Sequence, residues 1–203
     1  MNSTALWYTT RASGIMTLIL LTLTMVLGLM TSGRVRARHW PGYAQQEIHR
    51  RLSILSVVFL AIHVLSSVFD TFVHIGWIAV VVPFVSPYAP FWIGLGTVAL
   101  DLMVAVLISS VLRPHINARV WRALHWLAYA SWPLALGHTF GMGTDAGEHW
   151  VIALGLACVA AVGLSLMWRV RRKENPTGPP VGSVRTRSPV TRLVSTPRKS
   201  RHV

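Results

Sequence analysis

Residues 49–69 read HRRLSILSVVFLAIHVLSSVF, an apolar stretch with one histidine at its entrance and a second, His63, fourteen residues further on. Fourteen residues of α-helix rise about 21 Å and make almost four full turns, so the two imidazoles leave nearly the same face at different depths. A second stretch, residues 125–138, HWLAYASWPLALGH, repeats the device with His125 and His138 thirteen residues apart. The fold follows from what surrounds these two stretches, and the function from whether the four histidines belong together.

The chain of 203 residues is 53% hydrophobic and only 12% charged, and its apolar residues fall in runs without alternation. That composition identifies an integral membrane protein, all-α, with its helices crossing the bilayer. Five spans are expected, over about 12–32, 50–69, 91–112, 120–141 and 149–168. The first run is long, lacks an A-x-A cleavage pattern and precedes its arginines, so it reads as an uncleaved helix and not as a signal peptide. Cys158, the one cysteine, lies in an apolar run and is expected to pack as a small core residue; a disulfide, a CxxC pair and an iron–sulfur cluster are excluded.

Orientation comes from the basic residues. Arg34, Arg36, Arg38, Arg50 and Arg51 cluster between the first two spans, and Arg113, Arg119 and Arg122 lie between the third and fourth. Both loops are therefore cytoplasmic under the positive-inside rule. Residues 70–90, DTFVHIGWIAVVVPFVSPYAP, contain no lysine or arginine and are cut by Pro83, Pro87 and Pro90. They read as an outer re-entrant or surface segment; as a sixth span they would reverse everything downstream and set His49 opposite His138. Five spans place the N-terminus outside and the C-terminus in the cytoplasm of a multi-pass cell-membrane protein.

Ten of the nineteen basic residues follow residue 168, with one acid and many prolines, serines and threonines. Residues 169–203 are expected to form a disordered basic cytoplasmic tail attracted to anionic lipid, separate from the membrane domain of residues 1–168. The net charge of +13 is thus a tail and loop property. It is not a nucleic-acid footprint, because it is not spread on a folded face interleaved with aromatic residues.

With the two histidine-bearing helices running the same way, like depths pair: His49 with His125 near the cytoplasm, and His63 with His138 toward the outside. Two facing imidazoles at each of two levels suit two six-coordinate haems, and full axial ligation favours electron transfer over oxygen binding. Zinc needs a larger donor set than two imidazoles per level. Thirteen residues of ideal helix leave His125 and His138 about 140° apart around the axis, so a distorted fourth helix is expected, with Pro133 as the cause. Arg50 and Arg51 beside His49, and Arg119 and Arg122 before His125, are candidate partners for the inner propionates. Trp121, Trp126 and Trp132 are placed either to pack on macrocycles or to anchor and pack the helices. His39, His74, His115, His149 and His202 read as interfacial, His74 lying near a prospective outer acceptor site. Asp101, mid-way along the third span, is a functional candidate by its depth, and a haem-free proton or metal transporter using the histidines and Asp101 is the competing class. Gly94-x-Gly96 in that span has no preceding strand and reads as a close-packing site, not a dinucleotide fingerprint.

Residues 12–168 resemble the ferric reductase-like transmembrane family, which includes the membrane domains of NADPH oxidases, ferric reductases and the haem subunit of a bacterial methionine sulfoxide reductase system. The resemblance rests on the four histidines, on Pro83-Phe84-x-Ser86-x-Tyr88-x-Pro90-x-Trp92-x-Gly94 and on Trp121-Arg122-x-x-His125-x-Leu127-x-Tyr129. It implies two b-type haems carrying electrons from a cytoplasmic flavin to an outer acceptor, the inner haem on His49 and His125 and the outer on His63 and His138. Nothing after residue 168 reads as a flavin or nicotinamide domain, so a separate cytoplasmic donor such as a flavin reductase, or a quinol, is expected. The outer acceptor is ferric iron or an extracytoplasmic redox protein, and the sequence leaves open whether the chain is an enzyme or an electron-transfer subunit.

Overall fold

The computed structural model describes residues 3–32, 42–70, 75–143 and 147–174. Among these, all regular structure is helical: α1 (Ser3–Ser32), α2 (Gly42–Phe69), α3 (Trp77–Val81), α4 (Pro90–Val111), α5 (Ala118–His125), α6 (Leu127–Met142) and α7 (His149–Glu174). Four helical segments are long and apolar enough to cross a membrane: Thr4–Thr31, Tyr43–Phe69, Pro90–Val111 and His149–Arg171. The expected fourth span is present as two consecutive shorter helices, α5 and α6, and so does not count as one long apolar helix. The arginines at 34, 36 and 38, His39, His74, His202 and nearly all of the basic tail lie outside the described residues.

α1 begins nine residues before the expected start of the first span, which brings Thr10 and Arg11 into the helix. α2 likewise begins at Gly42, so Arg50 and Arg51 stand on its surface and not in a loop. α1 packs along α2, α4 along α6, and α1 also touches α6 and α7. The core at this junction contains Leu21, Trp132, Cys158 and Val162. Trp132 is buried there and donates its indole N–H to Thr22 Oγ1 at 2.9 Å, tying α6 to α1. A buried indole needs such a partner, because its unmet donor would carry the full desolvation cost.

Between α2 and α4 the chain makes only the five-residue α3 and a strained turn. Phe84 has φ 66° and Ala89 φ 40°, both in the left-handed region that side chains other than glycine rarely enter. The turn is held by Ser86, whose hydroxyl donates to Tyr88 O at 2.9 Å, and by the Phe84 ring, which occupies the space a Cβ on Gly94 would fill. Pro90 then starts α4 at a position where its missing N–H costs nothing. Ala79 of α3 is buried and accepts a hydrogen bond from Thr97 Oγ1 at 2.7 Å. Thr97 stands two turns into α4, so α3 lies alongside that helix and not across its end.

Candidate haem site

α5 and α6 meet at Trp126, and this break has a specific consequence for the histidines on either side of it. The Trp126 N–H is shared between Arg122 O at 3.3 Å and Ala123 O at 3.2 Å, and the Tyr129 N–H reaches Trp126 O at 3.0 Å. The bonds to Ala123 O and Trp126 O are i→i−3 and mark a tightened 3₁₀ turn, in which each residue advances about 20° further than in an α-helix. The extra winding takes up part of the phase that separates two histidines thirteen residues apart. Pro133 sits inside the continuous α6, so the interruption falls seven residues earlier than the proline on which the sequence reading placed it.

The four rings form two pairs. His49 and His125 have ring centroids 6.4 Å apart with planes at 60°, and His63 and His138 have centroids 6.1 Å apart with planes at 81°. No hydrogen bond links the rings within either pair among the described residues. Metal–imidazole bonds of about 2 Å on either side of one ion put two centroids roughly 6.2 Å apart, so both separations suit one six-coordinate ion per pair.

Three of the rings are fixed by the same device. His63 Nδ1 lies 2.9 Å from Thr10 O, His49 Nδ1 3.1 Å from Thr24 O, and His138 Nδ1 2.8 Å from Trp92 O. A carbonyl only accepts, so Nδ1 carries the proton and Nε2 presents its lone pair, as in a metal-binding histidine oriented by an outer partner. Four residues after each of these carbonyls stands a glycine. A Cβ on Gly14 would lie 2.9 Å from the His63 ring, one on Gly28 3.4 Å from the His49 ring, and one on Gly96 2.6 Å from the His138 ring. The missing side chain lets the imidazole reach the helix backbone one turn back.

This receptacle was readable and was missed. Thr10-x-x-x-Gly14 and Thr24-x-x-x-Gly28 recur on α1 at the fourteen-residue spacing of His63 and His49 on the neighbouring α2. The Gly94-x-Gly96 pattern read as close packing divides in two: Gly94 receives Phe84, and Gly96 receives His138. Trp92, one residue of the Pro83–Gly94 signature, supplies the carbonyl for His138 and rests its indole against Gly141. The strained turn therefore bears on the His63–His138 pair through one residue.

His125 is the exception. Its Nδ1 is buried with no hydrogen-bond partner among the described residues, and the same is true of Trp121 Nε1 and Thr24 Oγ1. The ring instead stacks on Trp121, with centroids 5.0 Å apart and planes at 23°.

The predicted propionate cations are differently placed. Arg51 donates to Glu47 at 2.7 Å on the exposed side of α2, and Arg50, Arg119 and Arg122 are exposed. Arg11, one residue before the expected start of the first span, lines a cavity with Gly14, His63, Gly96, His138 and Met142. Its guanidinium occupies the place a Cβ on Gly143 would take. Of the other tryptophans, Trp126 is exposed with the Arg169 guanidinium 5.8 Å from its ring centre, and Trp132 is a packing residue. Asp101 is exposed on α4 and His115 and His149 are exposed; none joins the ring pairs. Among the described residues no cluster of three or more histidines, cysteines or carboxylates forms.

A search among curated proteins and among solved structures returned no match to this chain. The family described as ferric reductase-like transmembrane component matches residues 13–136, more than half of the chain, and the matched stretch contains His49, His63 and His125. Apolar helices that carry paired histidines, together with this match, make the chain a multi-pass membrane protein with an electron-transfer role, and it belongs to the ferric reductase-like transmembrane component family.

Proposed function

We propose that the chain is a two-haem membrane cytochrome b that carries electrons one at a time from a cytoplasmic donor, a flavoprotein or a quinol, to an extracytoplasmic acceptor, ferric iron or a partner redox protein. The observation that carries the reading is the pair of ring separations, 6.4 and 6.1 Å, with three of four rings held through Nδ1 on a carbonyl, which leaves the Nε2 lone pair available to a metal. When bound, each haem supplies a one-electron iron couple whose potential the axial imidazoles and their outer partners tune.

In this reading α5 and α6 together make a fifth crossing. The N-terminus lies outside and the tail in the cytoplasm. His49 and His125 hold the inner haem; His63 and His138 hold the outer. Two imidazoles for each haem would fill its protein ligand positions, a donor set that suits electron transfer over binding of a small ligand. The Arg11 guanidinium is the cation nearest the outer pair and suits a propionate there. At the inner level the unpartnered Trp121 N–H and Thr24 hydroxyl are donors for a carboxylate, with Arg50, Arg51, Arg119 and Arg122 forming an exposed basic surround for an anionic donor protein.

Residues 75–90 form the outer segment. The Thr97–Ala79 hydrogen bond supports a re-entrant course, and Ile75 and Ala79 line the cavity with His63 and His138, which favours an acceptor site at that face. Asp101 stands away from both pairs, so the geometry favours electron transfer over a proton or metal relay.

The test uses sealed vesicles carrying the full chain, with a reducing flavoprotein on the tail side and a membrane-impermeant ferric chelate on the other. Chelate reduction without an added protein acceptor identifies a ferric reductase. Reduction of the haem absorbance without chelate turnover identifies an electron-transfer subunit. A colourless, folded protein overturns the proposal.

A further inference from the structure

The receptacles described above obey a register. Gly14 and Gly28 are fourteen apart on α1, matching His63 and His49 on α2. On α4 no glycine stands thirteen or fourteen residues beyond Gly96, the spacings of the two histidine pairs: positions 109 and 110 are Ser109 and Ser110. There the receptacle is closed: Val106 O already accepts from Ser109 Oγ at 2.9 Å and from Ser110 Oγ at 2.7 Å, and position 110 carries a side chain in place of glycine. No carbonyl–glycine receptacle is offered to His125 at this register, and its Nδ1 has no partner among the described residues.

What holds His125 is a stack. Trp121, one turn before it on α5, lies nearly parallel to its ring, and the Arg113 guanidinium lies 4.6 Å from the centre of the same indole. Arg113 is brought there by the turn between α4 and α5, whose exit Asn117 caps by accepting from the Arg119 N–H at 2.8 Å. A cation over an indole face is attracted by the ring quadrupole. The indole thus contacts both a guanidinium and an imidazole on a short amphipathic helix.

We propose that Trp121 and Arg113 are positioning residues for the inner axial ligand His125, replacing the carbonyl–glycine receptacle that the other three histidines use, and that they set the inner haem's ligand field apart from the outer one. The inference rests on the two-haem reading above. A histidine whose Nδ1–H lacks an acceptor is a less basic ligand than one bonded to a carbonyl. A nearby fixed cation adds to the same effect by disfavouring the ferric state. The outer haem has a cation of its own, Arg11, in the cavity with His63 and His138, but both of its Nδ1 atoms sit on carbonyls, so ligand basicity is what separates the two levels.

The experiment is a redox titration and low-temperature electron paramagnetic resonance of the purified full chain, comparing wild type with W121L, W121F, R113Q and S109A/S110G. W121L removes the stack and is expected to change the inner low-spin signal and weaken inner haem retention about tenfold, within the range that loss of an outer partner commonly causes. W121F keeps an aromatic face and is expected to retain the inner signal. R113Q and S109A/S110G, the second of which reopens the carbonyl for His125, should both lower the inner midpoint, by about 59 mV for a tenfold shift in the one-electron equilibrium. In all four variants the outer signal stays as in wild type. An inner signal and midpoint unmoved in W121L and R113Q, or both haems shifted equally, overturns the inference. Absence of haem from the wild-type chain overturns the two-haem reading itself, and this inference with it.

Discussion

The histidine pairs proposed as outer, His63 with His138, and inner, His49 with His125, share α2 and have nearly the same separation, His138 standing on α6 and His125 on α5, yet they are held by different physics. At the outer level both rings donate to helix carbonyls, at 2.9 and 2.8 Å, and both sit over glycines where a Cβ would collide. At the inner level His49 has the same device in a looser form, with a 3.1 Å contact and a glycine at ordinary van der Waals distance, and His125 has a tryptophan stack. Backbone receptacles are rigid because they belong to helices already fixed by packing. A side-chain stack can be altered by substitution without touching the helix ladder, so the inner level is where this architecture can vary its electronic properties at least cost to the fold.

Loss of a ring should have the largest effect on that contrast. H63A is expected to lose the outer haem while leaving the inner one, halving haem per chain and reducing transfer across the vesicle to background; haem extraction and the vesicle assay measure both. Loss of the inner haem with the outer retained would reverse the assignment of levels. A smaller and graded effect is expected from the receptacle glycines. G96A, whose added methyl would approach His138 to 2.6 Å, should weaken outer haem retention about 10–100-fold. G28A, with 3.4 Å to the His49 ring, should change inner retention only slightly. Equal effects from the two would break the distinction between the levels, and the comparison is read from haem bound after detergent washing. The smallest effect is expected from R51Q. Its ion pair with Glu47 is one helical turn long, highly exposed and screened by solvent. Haem content and melting temperature should match wild type; a loss of inner haem would return Arg51 to the propionate role first assigned to it.

Much of this was legible in residue spacing. The histidine pairs declare themselves because a helix converts fourteen residues into depth on one face, and the arginine clusters give that depth a direction. The receptacles were equally present in the sequence, in the repeated Thr-x-x-x-Gly of α1, but a glycine in a membrane helix usually means helix packing, and its use here depends on which neighbour faces it. The break at Trp126 was not legible at its true place. Pro133 removes a donor and draws attention, whereas the tightened turn is set by hydrogen bonds seven residues earlier that carry no compositional mark. The propionate arginines were chosen by nearness in sequence to histidines. A helix sends adjacent residues to different faces, and so Arg50 and Arg51 point outward while Arg11, distant in sequence, reaches the outer cavity.

The most direct test of the two-haem claim is the haem-to-protein ratio of the purified chain, by haem extraction against amino-acid analysis, read beside its reduced-minus-oxidised spectrum. Two b-type haems per chain, both low-spin, are predicted. A ratio of one, or a folded chain without haem, would contradict it.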